Sequence, residues 1–146
     1  MVIGIFGASC TGKSSIAGEI SKRTNARVFT GKDYLKCAKS EAEARKLFID
    51  LLASGETGND CVVYVITEKE HLAFLPPKAI RVYMTADIET IKERFAKRMN
   101  GNIPPPVVAM IEKMHTLFDD EPYDLKIENV GRDISEIVDN ILELAN

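Results

Sequence analysis

The sequence lacks the features by which membrane proteins, disulfide-stabilised proteins and strongly basic nucleic-acid-binding proteins are recognised. No apolar run approaches the ~20 residues of a membrane-spanning helix. The first apolar run begins at Val2, so we expect no targeting segment. Three widely spaced cysteines, Cys10, Cys37 and Cys61, predict neither a disulfide framework nor a zinc site. The net charge of −3 argues against nucleic acid as a partner. We expect a cytoplasmic protein without a membrane partner, and the oligomeric state stays open.

One stretch near the start of the chain carries the strongest functional signal. It reads Gly7-Ala8-Ser9-Cys10-Thr11-Gly12-Lys13-Ser14 and matches G-x-x-x-x-G-K-[ST], the phosphate-binding P-loop. Glycines permit the dihedrals that turn several backbone N–H groups toward one phosphate, and the following helix adds its positive N-terminal end. Lys13 would supply a cation for the β- and γ-phosphate oxygens, and the Ser14 hydroxyl would ligate Mg²⁺. An ordinary glycine-rich turn is the alternative interpretation.

The surrounding sequence favours phosphate binding. The apolar run Val2–Phe6 is typical of a buried strand and leads directly into the loop, and an amphipathic segment over Ser15–Arg23 follows it. Strand, loop and helix thus occur in the order that the motif requires. The sequence therefore predicts a site for a nucleoside triphosphate with Mg²⁺. The residues predicted to contact the nucleotide here are Gly7, Ala8, Ser9, Cys10, Thr11, Gly12, Lys13, Ser14 and Ser15.

Cys10 lies inside the loop, and this position suggests that its thiol is reactive. Clustered N–H groups favour a thiolate, so redox sensitivity of nucleotide binding is a hypothesis. The alternative is that Cys10 is only one of the small residues that can fill this position.

Apolar periodicity predicts strands that alternate with helices along the whole chain. The predicted strands are 2–6, 26–30, 61–66, 80–85 and 123–128. The predicted helices are 15–23, 41–53, 87–99, 107–118 and 133–144, with a short helical turn over 69–74 and loops over 54–60 and 100–106. This alternation predicts an α/β fold, with a five-stranded parallel sheet between two helical layers, in one domain over 1–146. The apolar stripes place Leu47, Phe48 and Met99 on buried helix faces.

Missing motifs narrow the class of P-loop protein. No Asp is followed by Gly three residues later, so the D-x-x-G element of switch GTPases is absent. The guanine-reading N-K-x-D is absent as well, and Thr30-Gly31-Lys32-Asp33 resembles it only faintly and too early in the chain. The large motor ATPases need a longer chain. Of these classes of P-loop protein, the sequence is compatible with a small kinase.

The chain resembles a known group, the small P-loop kinases. Members of this group are related to nucleoside monophosphate kinases (adenylate, guanylate and cytidylate) and to shikimate, gluconate and adenylylsulfate kinases. Besides the phosphate loop, Asp33 follows the second strand, where these kinases often carry an aspartate. Glu93-Arg94-Phe95-Ala96-Lys97-Arg98 looks like the R-x-x-x-R lid element, and Tyr123–Asn129 looks like the final strand of guanylate-type kinases.

The resemblance implies a three-layer α/β/α P-loop NTPase fold with a short lid over about 94–106. It implies ATP as the donor, with Asn129 near its base. It also implies catalytic roles for Lys13, Asp33, Arg94 and Arg98. Glu68, at the end of the third strand, stands where many P-loop proteins place an acid in the outer coordination sphere of the metal.

Each of these assignments has a plainer alternative. Arg94 and Arg98 share a helical face and would offset the charge of the transferring phosphoryl group, or they belong to a solvated basic face. Asp33 would orient the acceptor hydroxyl, or it caps the helix that follows. Glu68 would serve the metal, or it is surface. His71 and His115 have no metal-ligand spacing and are expected to be structural or exposed.

These observations lead to one main hypothesis and two alternatives. The main hypothesis is an ATP- and Mg²⁺-dependent kinase that transfers the γ-phosphoryl group to a nucleotide-like or small-metabolite acceptor. The first alternative is a nucleotide-binding regulatory module with little or no phosphotransfer, motivated by the absence of the D-G-D element of gluconate- and adenylylsulfate-type kinases. The second is a kinase that acts on a macromolecule.

Overall fold

A computed structural model describes residues 1–145 of the chain. Five strands are β1 (Val2–Phe6), β2 (Arg27–Thr30), β3 (Val62–Ile66), β4 (Ile80–Thr85) and β5 (Leu125–Glu128). Five α-helices are α1 (Lys13–Thr24), α2 (Glu41–Thr57), α3 (Ile88–Arg98), α4 (Pro105–His115) and α5 (Ile134–Ala145). Two 3₁₀ helices, Gly31–Cys37 and Lys69–Phe74, follow β2 and β3.

The strands form one parallel sheet in the order β2-β3-β1-β4-β5. Every residue of β1 and β3 is buried, because these central strands are covered on both faces, and their continuous apolar sequences reflect this. Since all strands run the same way, their carboxyl ends meet at one edge of the sheet. The predicted α/β fold with a five-stranded parallel sheet is confirmed.

Alternate side chains of the central strands enter two apolar layers. On one face, Ile3 and Ile5 of β1 pack with the apolar stripes of α1 and α5, including Ile16 and Ile137. On the other face, Phe6 packs with α2 and the 3₁₀ helices in an aromatic layer. A smaller third cluster joins α3 to α4 beside the phosphate loop.

The second helix is longer than the sequence predicts. It continues through Thr57, although the turn-forming residues 54–60 predict a loop. Gly55 is the physical reason, because it is buried against the central strands and an added Cβ would lie 2.9 Å from Val2 Cγ2. The absent side chain lets the helix end approach the sheet.

The fourth helix also begins earlier than predicted, at Pro105 instead of Val107. The prediction treated all three prolines as loop residues. Proline is tolerated in the first helical turn, since its missing N–H would have no partner within the helix there. Two predicted core positions are wrong as well, because Leu47 is 43% exposed and Met99 is 45% exposed. None of the helices within residues 1–145 combines the length and apolar character needed to cross a bilayer.

Candidate nucleotide-binding site

The phosphate loop connects β1 to α1 at the carboxyl edge of the sheet, and two of its glycines are sterically required. Gly7 has φ 150° and an added Cβ would lie 2.0 Å from the Met84 carbonyl oxygen. Gly12 has φ 90°, and an added Cβ would lie 2.3 Å from Asn129 Nδ2. Any side chain at either position would strain the backbone and displace a neighbour. Cys10, with φ 64°, also adopts the left-handed conformation.

Lys13 is folded back onto the loop that precedes it. Its Nζ donates to the Ala8 carbonyl oxygen at 2.5 Å, and Thr11 Oγ1 donates to the same oxygen at 2.8 Å. The Lys13 side chain is only 5% exposed. Burial lowers the pKa of Lys13 to about 8; Cys10 opposes this shift and the Arg98 guanidinium adds to it. An anion at the loop would restore the charged form.

Arg94 joins the phosphate loop to the segment that follows β5. Its Nη1 donates to the Cys10 carbonyl oxygen at 2.8 Å, and its Nη2 donates to the Asn129 carbonyl oxygen at 3.0 Å. Asn129 Nδ2 in turn donates to the Thr11 carbonyl oxygen at 3.1 Å. Two hydrogen bonds thus hold the outer half of the loop in its conformation, and a third joins the two residues that donate them. We call Arg94 and Asn129 together the loop brace.

A cleft of about 610 Å³ lies over the phosphate loop. Ser9, Lys13 and Ser14 line its phosphate side. Lys32, Asp33, Thr67 and Arg98 are among the residues that line the remainder. The structure therefore brings four of the predicted site residues, Lys13, Ser14, Asp33 and Arg98, to one cavity. Arg98 reaches it from α3 and Asp33 from the 3₁₀ helix after β2.

A second cleft of about 410 Å³ lies beside the first and shares Cys10, Gly12, Ser15 and Arg98 with it. Its other wall carries Asn129 and Arg132 from the segment between β5 and α5. Sequence reasoning missed Arg132. The rule that ligands bind beyond the carboxyl ends of parallel strands could have found it, because Arg132 follows β5 by four residues.

Asp33 already has local partners. Its Oδ2 accepts hydrogen bonds from the Thr30 backbone N–H at 2.8 Å and from Thr30 Oγ1 at 3.3 Å, and Lys36 Nζ lies 3.7 Å from Oδ1. Asp33 is the third residue of the 3₁₀ helix and belongs to a capping box with Thr30. It therefore caps the helix and faces the first cleft at the same time.

Two further predicted residues lie apart from Lys13 and Ser14. Arg94 is engaged by backbone carbonyl groups, as described above, and lines the second cleft. The Glu68 carboxylate lies 3.7 Å from His71 Nε2, while Thr67 is the neighbour that lines the first cleft. His71 is buried. His115 is half-buried, and its Nε2 lies 2.8 Å from the Ala86 carbonyl oxygen. Both histidines therefore pack within the fold.

No protein-family model matches the sequence, and no curated protein is significantly similar to it. Solved structures with the same fold are numerous. A shikimate kinase from Acinetobacter baumannii in complex with shikimate is 15% identical with a TM-score of 0.67, over 99% of this chain and 92% of that one. A gluconokinase from Sinorhizobium meliloti 1021 is 15% identical with a TM-score of 0.61, over 97% and 89%.

The YorR protein from Bacillus subtilis in complex with phosphorylated GDP is 20% identical with a TM-score of 0.67, over 99% of this chain and 95% of that one. These likenesses confirm the resemblance to small P-loop kinases at the level of the fold, including its three-layer α/β/α arrangement. At such identities they show the fold alone.

Proposed function

We propose that the protein is a kinase that transfers the γ-phosphoryl group of ATP, with Mg²⁺, to a hydroxyl or phosphate group of a small nucleotide-like or metabolic acceptor. One observation carries the proposal: the phosphate loop shares a single cleft with Lys32, Asp33 and Arg98. A phosphate-binding loop alone would serve any nucleotide-binding protein. An adjoining cavity with basic side chains and a carboxylate provides what an acceptor and a phosphoryl transfer require.

The phosphate loop would bind the triphosphate through its backbone N–H groups, with Gly7 and Gly12 allowing their orientation. Lys13 Nζ would leave the Ala8 carbonyl oxygen for the β- and γ-phosphate oxygens. The exposed Ser14 hydroxyl, in the same cleft, would be the protein ligand of Mg²⁺. The ion would supply charge neutralisation at the transferring group.

Arg98 is the arginine that we assign to the transferring phosphoryl group. It is exposed and lines both clefts, and its guanidinium lies 5.9 Å from the centre of the Phe95 ring. A guanidinium there would stabilise the charge that spreads over the phosphoryl oxygens. The segment 94–106 then acts as a short lid, and the loop brace fixes its first residue to the phosphate loop.

Asp33 is the carboxylate that we assign to the acceptor. It would accept a hydrogen bond from an acceptor hydroxyl and take its proton late in the transfer, which needs only modest basicity. The neighbouring Lys32 favours an acceptor that carries an anionic group. The second cleft, between Arg98 and the segment with Asn129 and Arg132, would hold the base of the donor nucleotide.

A regulatory nucleotide-binding module is the second candidate. The observation that favours it is the use of the Asp33 carboxylate as a helix cap, with Thr30 already donating to it twice. In such a protein the nucleotide would be held without an acceptor, and Arg98 would have little effect on any activity.

The test is ADP formation from Mg-ATP against a panel of nucleoside monophosphates, nucleosides, sugar acids and shikimate, with Lys13→Ala as the blank. We expect one acceptor class to raise ADP release well above the ATP-only rate. Arg98→Ala should lower that rate by about 10²-fold while ATP binding persists, and its exposed neighbour Lys97→Ala is the matched control. ATP binding without stimulation by any acceptor would support the regulatory module, and no ATP binding would contradict both.

A further inference from the structure

A titratable cluster with unsatisfied polar atoms lies at the start of the 3₁₀ helix Lys69–Phe74. Glu68, Glu70 and His71 each place one potential ligand atom within 4.8 Å of the others. His71 is only 1% exposed, and among residues 1–145 neither of its ring nitrogens has a hydrogen-bond partner. A buried polar group without a partner is costly and uncommon in folded proteins. The cluster therefore needs an explanation.

The separations in the cluster match a shared ion better than they match hydrogen bonds. His71 Nε2 lies 3.7 Å from Glu68 Oε2 and 4.0 Å from Glu70 Oε1. Both distances are too long for hydrogen bonds. Two ligands bound at about 2.0–2.2 Å to a tetrahedral ion stand roughly 3.3–3.6 Å apart. The two distances from His71 Nε2 are within a few tenths of an ångström of that range, and all three ligand atoms lie within 4.8 Å of one another, so rotation of the two exposed carboxylates would complete such a site.

The imidazole is held rigidly while the carboxylates can adjust. The His71 ring stacks on Phe74 with centroids 5.7 Å apart and 14° between the planes, and it meets Tyr34 edge-on at 5.7 Å. The side chains of Glu68 and Glu70 are 48% and 67% exposed. A fixed nitrogen under two exposed carboxylates gives an ion both a defined position and an open path from solvent.

The negative charge of the two carboxylates is also not balanced by a neighbouring Lys or Arg side chain among the described residues. Glu68 and Glu70 have no Lys or Arg ion pair among the described residues, and Lys69 between them pairs instead with Glu121 at 3.5 Å. Two carboxylates beside an unpaired imidazole nitrogen form a donor set of one nitrogen and two oxygens. Imidazole with carboxylates suits first-row transition ions, whereas Mg²⁺ and Ca²⁺ prefer oxygen ligands alone.

We propose that Glu68, Glu70 and His71 bind a divalent first-row transition-metal ion, with Zn²⁺ as the probe, at a site separate from the phosphate loop. His71 Nε2 and one oxygen of each carboxylate are the protein ligands, and water completes the coordination. The ion accounts for one of the two unsatisfied ring nitrogens, while Nδ1 keeps no partner. The proposal moves the metal role of Glu68 from Mg²⁺ at the nucleotide to this second site.

Such an ion would be structural. It would tie the exposed turn after β3 to a ring that packs on Tyr34 and Phe74, and Tyr34 follows Asp33 directly. Binding to the folded state alone raises stability by mass action, so the melting temperature should rise with Zn²⁺ concentration. The inference does not depend on the proposed kinase activity, and a protein that binds no ATP would still bind the ion.

The experiment is calorimetric titration of the whole protein with Zn²⁺ in excess Mg²⁺, together with melting curves and absorption spectra of the Co²⁺ form. We expect one ion per chain, a raised melting temperature and a Co²⁺ spectrum of nitrogen and oxygen ligands. Glu68→Gln and Glu70→Gln should each weaken binding about tenfold or more. Glu143→Gln, an exposed carboxylate on α5, is the matched control and should bind as the parent does.

The two glutamate variants carry the test because both side chains are exposed, whereas replacement of buried His71 could unfold the aromatic layer. The proposal is overturned if Zn²⁺ does not bind, or if the Glu68→Gln, Glu70→Gln double variant binds it unchanged. A sulfur-to-cobalt charge-transfer band would also overturn it, because that band would assign the ion to Cys10 or Cys37.

Discussion

Arg94 on α3 donates a hydrogen bond to the carbonyl oxygen of Cys10, a residue held at a positive φ in the middle of the phosphate loop. The two residues are 84 positions apart in the sequence. The same guanidinium donates to the Asn129 carbonyl oxygen, so one side chain links the loop, α3 and the segment after β5. This arrangement distinguishes the contacts of Arg94 from those of Arg98, although the sequence pattern treats the two residues as equivalent.

Arg94→Ala should therefore weaken nucleotide binding as well as turnover. It would leave two carbonyl groups without their charged donor, and hydrogen bonds to charged groups contribute about 1.5–3 kcal/mol each. We expect a lower melting temperature and a nucleotide Kd raised about tenfold or more. Calorimetry and thermal unfolding would measure both, with Lys97→Ala on the same helix as the control. Unchanged stability and affinity in Arg94→Ala would show that the brace has no energetic role.

Gly7→Ala should disrupt the phosphate loop, whereas Gly18→Ala should stabilise the protein. The new Cβ at Gly7 would stand 2.0 Å from the Met84 carbonyl oxygen, at φ 150°. We expect loss of nucleotide binding and a stability loss of at least about 1–3 kcal/mol. Gly18 is exposed on α1 with nothing within 4 Å of an added Cβ, so alanine there should add about 0.5–1 kcal/mol. Denaturant unfolding of both variants measures their free energies of unfolding. Opposite changes would show that the loss in Gly7→Ala comes from strain at that position and not from replacing any glycine by alanine.

Nucleotide affinity should fall as pH rises above 8. Burial lowers the pKa of Lys13 to about 8 in the free protein, and a bound triphosphate would raise it by favouring the ammonium. Below pH 8 Lys13 is protonated in both states, so affinity is constant. Above pH 8 binding must take up a proton, and the affinity should drop about tenfold per pH unit.

Calorimetry from pH 7.5 to 9.5 in buffers of different ionisation enthalpy would measure this proton uptake. Lys13→Met provides the control, because its weaker binding should show no such dependence on pH. A pH-independent affinity in the parent protein would mean that Lys13 keeps its charge when the nucleotide is absent.

Asp33→Asn should separate the two roles of this residue. Asparagine keeps an oxygen that can accept from the Thr30 N–H, so the helix cap should survive, but the charge and the proton acceptor are removed. We expect a melting temperature close to that of the parent and a kcat lowered by about 10²-fold or more. Asp33→Ala would lose the cap as well. A full rate in Asp33→Asn would leave the residue with its structural role only.

Among truncations to alanine on α2, Phe48→Ala should lower the free energy of unfolding the most. Phe48 is fully buried and makes edge contacts with Tyr64 at 4.9 Å and Phe29 at 5.5 Å between ring centroids. Removing a buried aromatic ring costs about 3–5 kcal/mol. Leu47→Ala, at the neighbouring position that is 43% exposed, should change the free energy of unfolding by less than about 0.5 kcal/mol. Chemical denaturation of both variants measures the difference.

The sequence was sufficient for the order of strands and helices and for the phosphate loop, because these depend on local patterns. Buried apolar runs such as Val62–Ile66 are typical of central strands, and Gly7 and Gly12 permit the backbone conformation that the loop adopts. The extension of α2 to Thr57 was not predictable, since it depends on the contact of Gly55 with Val2, a distant residue. The apolar stripe predicts the burial of Phe48 correctly, whereas the exposure of Leu47 depends on how α2 is rotated against the sheet.

The same distinction applies to the candidate site. Lys13, Ser14 and Asp33 share a cleft, as the strand-end rule predicts for residues that follow β1 and β2, and Arg98 reaches the same cleft from the end of α3. The different contacts of Arg94 and Arg98 could not be predicted, because helical spacing places both on one face and says nothing of which carbonyl groups lie within reach. The contact between Glu68 and His71 was also missed, since the six-residue 3₁₀ helix is too short to show a periodic signal.

β1 lies at the centre of the sheet although its partners come later in the sequence, and this sets the order in which the loop after it can take its final shape. β1 pairs with β3 and β4, which begin 60 and 78 positions after Val2. The loop over residues 7–14 contacts Met84, Arg94 and Asn129. During synthesis this loop therefore reaches its observed conformation only after the chain has been extended past β5.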